Sequence, residues 1–319
     1  MIITLTLNPA IDETVEVERF NDGDTNRVLS IRRDIGGKGI NVARVLKELG
    51  YEPLACGFAP GTLGQMIEDT LVDSGIGTEL VTFEGETRTN INVIDRERHS
   101  HTVLAAAGPK VPPEAVEHLR ERLLRRIRPD TWLALAGSIP PPLDPSLHVE
   151  LIEAVAERGG ATALDADGPV VTAILASHSR PTLLKINAHE LERVVGRPVP
   201  DVQTALHAAR ELQRRGMLNV VVTLGEHGAV AVTTSGEFRA LPPAVEVQSA
   251  VGAGDAFLAG LLLGLKRGRG WERALELASA AGAAVCLTPG TQLCRAKEVE
   301  RLLPLSAVVP IEEPARSPA

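Results

Sequence analysis

Ser249-Ala-Val-Gly-Ala-Gly-Asp255 runs without a break into the apolar stretch that begins Ala256-Phe-Leu-Ala-Gly-Leu261. Two glycines let a backbone turn tightly and aim its N–H groups at one point, and a helix starting there adds the positive end of its dipole. Gly252, Ala253 and Gly254 therefore read as an anion hole. A carboxylate on the first turn of such a helix works against anion binding unless it accepts a proton from a hydroxyl that attacks the bound anion. Phosphoryl transfer to an alcohol has that requirement, which makes Asp255 the candidate base. The same residues also read as a glycine-rich turn capped by an aspartate.

A second candidate is Gly36-Gly-Lys-Gly39, which precedes the helical run from Ile40 to Leu49. Gly37, Lys38 and Gly39 offer a close backbone approach to a ligand, with Asn41 in the first helical turn. It is not a P-loop, because glycine follows Lys38 where a hydroxyl residue is needed. Thr223-Leu-Gly-Glu-His-Gly228 lies between two strand patterns, so Gly225 and Gly228 are either hairpin glycines or part of a nucleotide-phosphate loop beside Thr223. In Lys185-Ile-Asn-Ala-His-Glu190, Asn187 and Glu190 stand three apart. They can hold Mg²⁺ through water or form a capping box. Asp12, Arg27, Arg88, Ser138 and Asp165 are polar residues at strand ends or on short outlying strands. Arg27 and Arg88 together can fork onto a sugar phosphate, and Asp12 can bind sugar hydroxyls. The eight histidines show no metal-ligand spacing.

These residues need a scaffold. From Pro112 onward, helices at 113–127, 146–158, 169–177 and 201–215 alternate with strands at 132–136, 161–164, 182–186 and 219–223. That is the pattern of an α/β, doubly wound, mostly parallel sheet flanked by helices. Sites in such sheets lie beyond the carboxyl ends of strands. Alternating stretches near 12–34 and 86–106 predict four short strands from two insertions that form one small β-sheet flap. One large domain over 1–303 follows, with a loose tail at 304–319. Hydrophobic residues make up 44% but aromatics only 3%, so Leu, Val, Ile and Ala must fill the core. A formal charge of −8 argues against nucleic-acid or anionic-membrane partners, so any phosphate must be held by local arrangement. Three cysteines without C-x-x-C spacing suggest no disulfide frame or zinc site and fit a cytoplasmic location. The first residues run straight into a strand pattern, and no apolar run reaches membrane-spanning length.

Taken together, these ordered motifs resemble the ribokinase superfamily of sugar kinases, in its phosphofructokinase B branch of 1-phosphofructokinases, tagatose-6-phosphate kinases and minor 6-phosphofructokinases. The resemblance rests on Thr4-Leu-Thr-Leu-Asn-Pro-Ala-Ile-Asp12, Gly36 to Arg44, Thr87-Arg88, Gly137-Ser-Ile-Pro-Pro141, Thr223-Leu-Gly225 and Val251 to Asp255. It implies that Asp255 is the base, that Asp12, Gly39, Asn41, Arg88 and Ser138 line a sugar-phosphate pocket, and that Lys185, Asn187, Thr223, Gly225 and Gly228 hold ATP. Glu190 then serves Mg²⁺, the flap is a lid that pairs with a second subunit's lid in a homodimer, and a monovalent cation such as K⁺ belongs near Ala250. The family's usual K-P-N-x-x-E-L reads Lys185-Ile-Asn-Ala-His-Glu-Leu191, without the proline. Thr288-Pro-Gly-Thr-Gln-Leu-Cys294 is similar to the tail of minor 6-phosphofructokinases and Gly-Gly-Lys-Gly to the other two groups. Fructose 6-phosphate is the expected acceptor, with fructose 1-phosphate and tagatose 6-phosphate as alternatives. A non-catalytic sugar-phosphate sensor is the rival reading, which a retained Asp255 disfavours.

Overall fold

A computed structural model describes residues 1–166 and 168–311. In chain order the first third contains β1 (Ile2–Thr6), β2 (Ala10–Val17), β3 (Val28–Gly36), α1 (Lys38–Glu48), β4 (Leu54–Phe58), α2 (Gly61–Asp73), β5 (Gly77–Val81), β6 (Arg88–Asp95) and β7 (Ser100–Leu104). The middle contains α3 (Pro113–Arg126), β8 (Trp132–Ala136), α4 (Ser146–Ala156), β9 (Ala161–Asp165), α5 (Gly168–Ala176), β10 (Leu183–Asn187), α6 (Ala188–Val195) and α7 (Val202–Arg214). The last third contains β11 (Val220–Thr223), β12 (Ala229–Thr233), β13 (Gly236–Leu241), α8 (Ala253–Lys266), α9 (Gly270–Cys286), α10 (Ala296–Leu302) and β14 (Ala307–Pro310).

Continuous apolar runs without alternation become strands buried on both faces. Every residue of β1 is buried, and it sits inside a ten-stranded sheet of order β14-β13-β12-β11-β10-β9-β8-β1-β4-β5. From β11 to β5 all pairings are parallel. Helices α3 to α7 cover one face through a core that includes Leu123, Leu151, Ile174 and Leu212. Helices α1, α8 and α9 cover the other through Leu46, Leu261, Leu275 and Val285.

The sheet departs from a purely parallel design at one edge, where β12, β13 and β14 run antiparallel. The cause is local: Gly225–His227 forms a single 3₁₀ turn that sends the chain straight back along β11, too short for a crossover helix. Ala307–Pro310 pairs with β13, so this part of the expected loose tail is ordered by a strand ladder. Residues 312–319 of that tail lie outside the described residues. The small sheet has the order β3-β2-β6-β7, built from the two expected insertions, with β2 and β6 parallel. No helix among the described residues is long and apolar enough to cross a membrane.

Candidate active site

In the large sheet the chain runs outward from β1 through β4 to β5, then returns to the other side of β1 and runs outward again from β8 to β11. That reversal leaves a crevice beyond the carboxyl ends of β1 and β8, the place where open α/β sheets bind ligands. A cleft of about 270 Å³ occupies it. Its floor comes from those strand ends, Thr6 at the end of β1 with Asn8 beyond it and Gly137 and Ser138 after β8, and its roof is the small sheet with Asp12, Arg88 and Asn90. Asp34, Asp12 and Asn90 are register partners across β3, β2 and β6. Arg88, two residues before Asn90, therefore shares its face.

Asn90 donates to Asp12 Oδ1 at 2.9 Å, and Asn8 donates to Ser138 Oγ at 3.1 Å. Burial raises the Asp12 carboxyl above its ordinary range, with the Asn90 bond and Arg88 pulling the other way. The Arg88 guanidinium, lowered by burial, donates to the carbonyls of Ala106 (2.7 Å) and Asn8 (3.1 Å). Its Nε is buried without a partner, as are Asn8 Oδ1 and Thr6 Oγ1. Thr6 Oγ1 and Asn8 Oδ1 lie against Gly39 and Gly108, and it is the polar lining from Arg88, Asn90, Asp12, Ser138 and Lys38 that suits a ligand rich in hydroxyls and phosphate oxygens.

Behind the cleft lies a buried charge cluster. Asp165, wholly inaccessible, accepts Lys38 Nζ on one oxygen and Lys185 Nζ on the other, both at 2.8 Å. Burial alone pushes its carboxyl up, yet the two ammonium groups hold it below its ordinary value. Lys38 also reaches Glu190 Oε1 at 3.2 Å. Burial works against the Lys38 charge, and Asp165, Glu190 and Asp255 more than offset it, so its pKa is raised.

Gly252, in the left-handed region at φ 82°, caps α8 and turns the chain so that Asp255 enters the first turn. Asp255 is buried and accepts Asn41 Nδ2 at 2.8 Å, and Asn41 itself lines the cleft. Burial, then the charge of Asp165, pushes the Asp255 carboxyl up to about 6, against Asn41, Lys38 and Lys185. A Cβ on Gly254 would stand 2.9 Å from Lys185 Nζ, so the missing side chain admits the ammonium to the turn. Of the three turn amides, that of Ala253 donates to the Ala250 carbonyl at 3.2 Å.

The nucleotide-side candidates follow along neighbouring strand ends. Asn187 and Thr223 are register partners at the ends of β10 and β11. Asn187 and Glu190 make the capping box in full: Glu190 N donates to Asn187 Oδ1 at 2.9 Å and Asn187 N to Glu190 Oε2 at 3.0 Å. Gly225 is exposed in the 3₁₀ turn. Gly228 is buried, and a Cβ there would meet the Ala240 carbonyl at 2.1 Å, so the hairpin itself demands this glycine.

The pfkB family carbohydrate kinase model matches residues 5–298. The chain belongs to that family. It is 35% identical over 284 residues to the 1-phosphofructokinase of Rhodobacter capsulatus, covering 88% of each chain. It is 31% identical over 283 residues to the tagatose-6-phosphate kinase of Staphylococcus epidermidis, covering 88% of this chain and 91% of the relative. Among solved structures it superposes on phosphofructokinase-2 from Escherichia coli in complex with potassium with a TM-score of 0.89 at 29% identity, covering 95% of this chain and 98% of that one.

Within this pfkB kinase, Asp12, Gly37, Lys38, Asn41, Arg88 and Ser138 gather on one cleft as the sequence leads one to expect. Three expected cleft residues do not. Arg27 is exposed just beyond the Val28 end of β3, the opposite end from Gly36, whose neighbour Gly37 lines the cleft, so within one chain it cannot fork with Arg88. Gly39 is buried, with Thr6 Oγ1 and the Leu5 carbonyl filling the space of its missing side chain, so it is a packing residue. Asp165 has both oxygens committed to lysines and no exposed surface. Thr6, Asn8 and Asn90 line the cleft without having been expected there. Strand period would have found Asn90, two positions from Arg88, and the strand-end rule points to Thr6 and Asn8.

Proposed function

We propose that the chain transfers the γ-phosphoryl group of ATP to a free hydroxyl of a ketohexose phosphate, with fructose 6-phosphate as acceptor and fructose 1,6-bisphosphate as product. One observation carries the reading: a buried carboxylate, pushed up to about 6, stands on the first turn of a glycine-capped helix, one hydrogen bond from the cleft. A base with a pKa near the working pH is the efficient one. Asp255 takes the proton of the acceptor hydroxyl as its oxygen bonds to the γ-phosphorus, and the bond to the β,γ-bridging oxygen breaks, so that ADP leaves with the electron pair. The turn amides at Gly252 and Gly254, with Lys185 against Gly254, receive the charge that builds on the transferred group. Arg88, Asn8 and Asp12 orient the sugar phosphate.

ATP lies along the ends of β10 and β11, by Lys185, Asn187, Thr223 and the exposed Gly225. For Mg²⁺ the donor set fits an outer-sphere arrangement. Glu190 accepts Asn187 N on one oxygen and the 3.2 Å Lys38 contact on the other, keeping lone pairs for a metal-bound water. Bound Mg²⁺ neutralises charge on the phosphates. A monovalent cation belongs to this reading through the neighbour solved with potassium, at the loop around Ala250. The small sheet closes the cleft and pairs with a second copy, because Leu29, Ile31, Val103 and Leu104 stand 50–57% exposed on it. A related phosphofructokinase-2 structure is described as tetrameric, so sedimentation of the chain with and without ATP separates the two assemblies. The three free cysteines suit a reducing compartment, the cytoplasm.

ADP release, measured with fructose 6-phosphate, fructose 1-phosphate and tagatose 6-phosphate, tests the proposal. The highest kcat/KM is expected with fructose 6-phosphate. Release no faster than the sugar-free rate for all three overturns it. The second reading, fructose 1-phosphate to the same product, is favoured by the curated relatives named 1-phosphofructokinase.

A further inference from the structure

The segment 287–292, between α9 and α10, touches both the small sheet and the glycine turn of the site. On its outer side, Thr291 Oγ1 donates to Asp34 Oδ2 of β3 in a short hydrogen bond. Asp34 Oδ2 also accepts Arg32 Nε at 2.8 Å, and Arg32 Nη2 reaches Thr291 Oγ1 at 3.5 Å and the Pro289 carbonyl at 3.4 Å. On its inner side, the Gly290 carbonyl accepts Ser249 Oγ at 2.7 Å, and Ser249 Oγ accepts the amide of Val251 at 3.3 Å. Val251 is followed by Gly252, the cap of α8, whose Cα faces Leu293 closely enough that a Cβ would stand 3.2 Å from Leu293 Cδ2. An unbroken run of contacts thus joins the roof of the cleft to the turn that carries Asp255.

The roof end of this run is well chosen. Asp34 is the register partner of Asp12, so it moves with the strand row that faces the cleft. Its side chain is only 17% exposed and that of Arg32 35%, so the pair is partly shielded from solvent. Strand β3 also leads directly through Gly37 into α1, where Asn41 holds Asp255.

We infer that Arg32, Asp34 and Thr291 form a latch that sets the position of the 249–254 turn according to the position of the small sheet. They are positioning residues: they touch neither substrate nor the reacting atoms, and act through Gly290 and Ser249. The inference rests on the kinase reading for its effect on rate, but the latch itself does not require that reading.

Thr291→Val keeps the shape and removes the hydroxyl, and Thr291→Ser keeps the hydroxyl. The Val variant is expected to lower kcat about tenfold, the worth of one net hydrogen bond, with the KM for ATP unchanged and the urea midpoint lowered by no more than the loss of that one bond. The Ser variant is expected to restore kcat. Asp34→Asn combined with Thr291→Val should be no worse than the more damaging single change. Amide hydrogen exchange at 249–254 should quicken in the Val variant and not in the Ser variant, a readout that needs no turnover. Unchanged kcat and exchange in Thr291→Val, equal losses in Val and Ser, or additive effects of Asp34→Asn and Thr291→Val each overturn the latch. If the unaltered chain turns over no sugar phosphate but exchange still responds to Val and not to Ser, the kinase reading falls and the latch stands.

Discussion

Two sheets meet at one cleft, and they are held by different forces. The ten-stranded sheet has helices on both faces, and its strands β1, β8, β9 and β10 are almost wholly buried. The four-stranded sheet leaves β7 exposed along its whole length and is laced at its surface by ion pairs such as Arg33–Glu13 at 2.6 Å and Arg96–Glu16 at 2.7 Å. Ion pairs of that kind contribute little to stability. The groups that need fixed geometry, Asp255, Lys185 and Asp165, all stand on the large sheet or the helix packed against it. The groups that would meet the exchanging sugar phosphate of the proposed reaction, Asp12, Asn90 and Arg88, stand on the small one. Local stability therefore follows the task, rigid where charge must be preorganised and loose where a molecule must enter and leave.

The contrast can be broken at its strongest point first. Asp165→Ala removes the shared partner of two buried lysines and should cost about 3–5 kcal/mol in urea unfolding; a loss under ~1 kcal/mol would mean that Lys38 and Lys185 repair the site without it. Asp255→Asn should lower kcat on the order of 10²-fold or more with ATP affinity by calorimetry preserved, and near-normal turnover would remove Asp255 as the base. Because its carboxyl is raised to about 6, kcat should fall as pH drops through that value. Stability runs the opposite way: a raised acid favours its protonated form in the fold, so this contribution is complete below the ordinary 3.8 and is lost as pH climbs through about 6. On the small sheet, Arg88→Ala should raise the KM for sugar phosphate about tenfold with kcat less affected; an unchanged KM would detach Arg88 from the ligand. Smallest of all, Val103→Ala on exposed β7 should shift monomer stability by no more than about 0.5 kcal/mol.

The same division governs what could be read from the chain. Helices α3, α4, α5 and α7 and the strands between them follow apolar period closely, because burial on both faces leaves long uninterrupted patterns. Between Gly50 and Thr87 the pattern assigns no element, yet β4, α2 and β5 form there: β4 carries Ala55, Cys56 and Gly57, small residues with little strand signature. In the site, motif glycines and charged residues located the glycine turn, Asn41 and Lys38. Distances hidden in the fold decided the rest. Asp165 looks like a ligand residue at a strand end, and only the arrival of two lysines from elsewhere in the chain makes it a buried counter-charge. Arg32, Asp34 and Thr291 are ordinary polar residues in sequence, since a contact across 257 positions leaves no local trace.

The ordered β14 edge has a practical side. Three inter-strand steps separate it from β11 and four from β10, roughly 15–20 Å at the usual strand spacing. Val309 is 45% exposed there, while the thiols of Cys56 and Cys294 are buried and pushed up to about 12. With the half-exposed Cys286 replaced by Ser, a fluorophore attached through Val309→Cys would thus sit close to an emitter carried by the nucleotide of the proposed reaction, and report site occupancy without intruding on it.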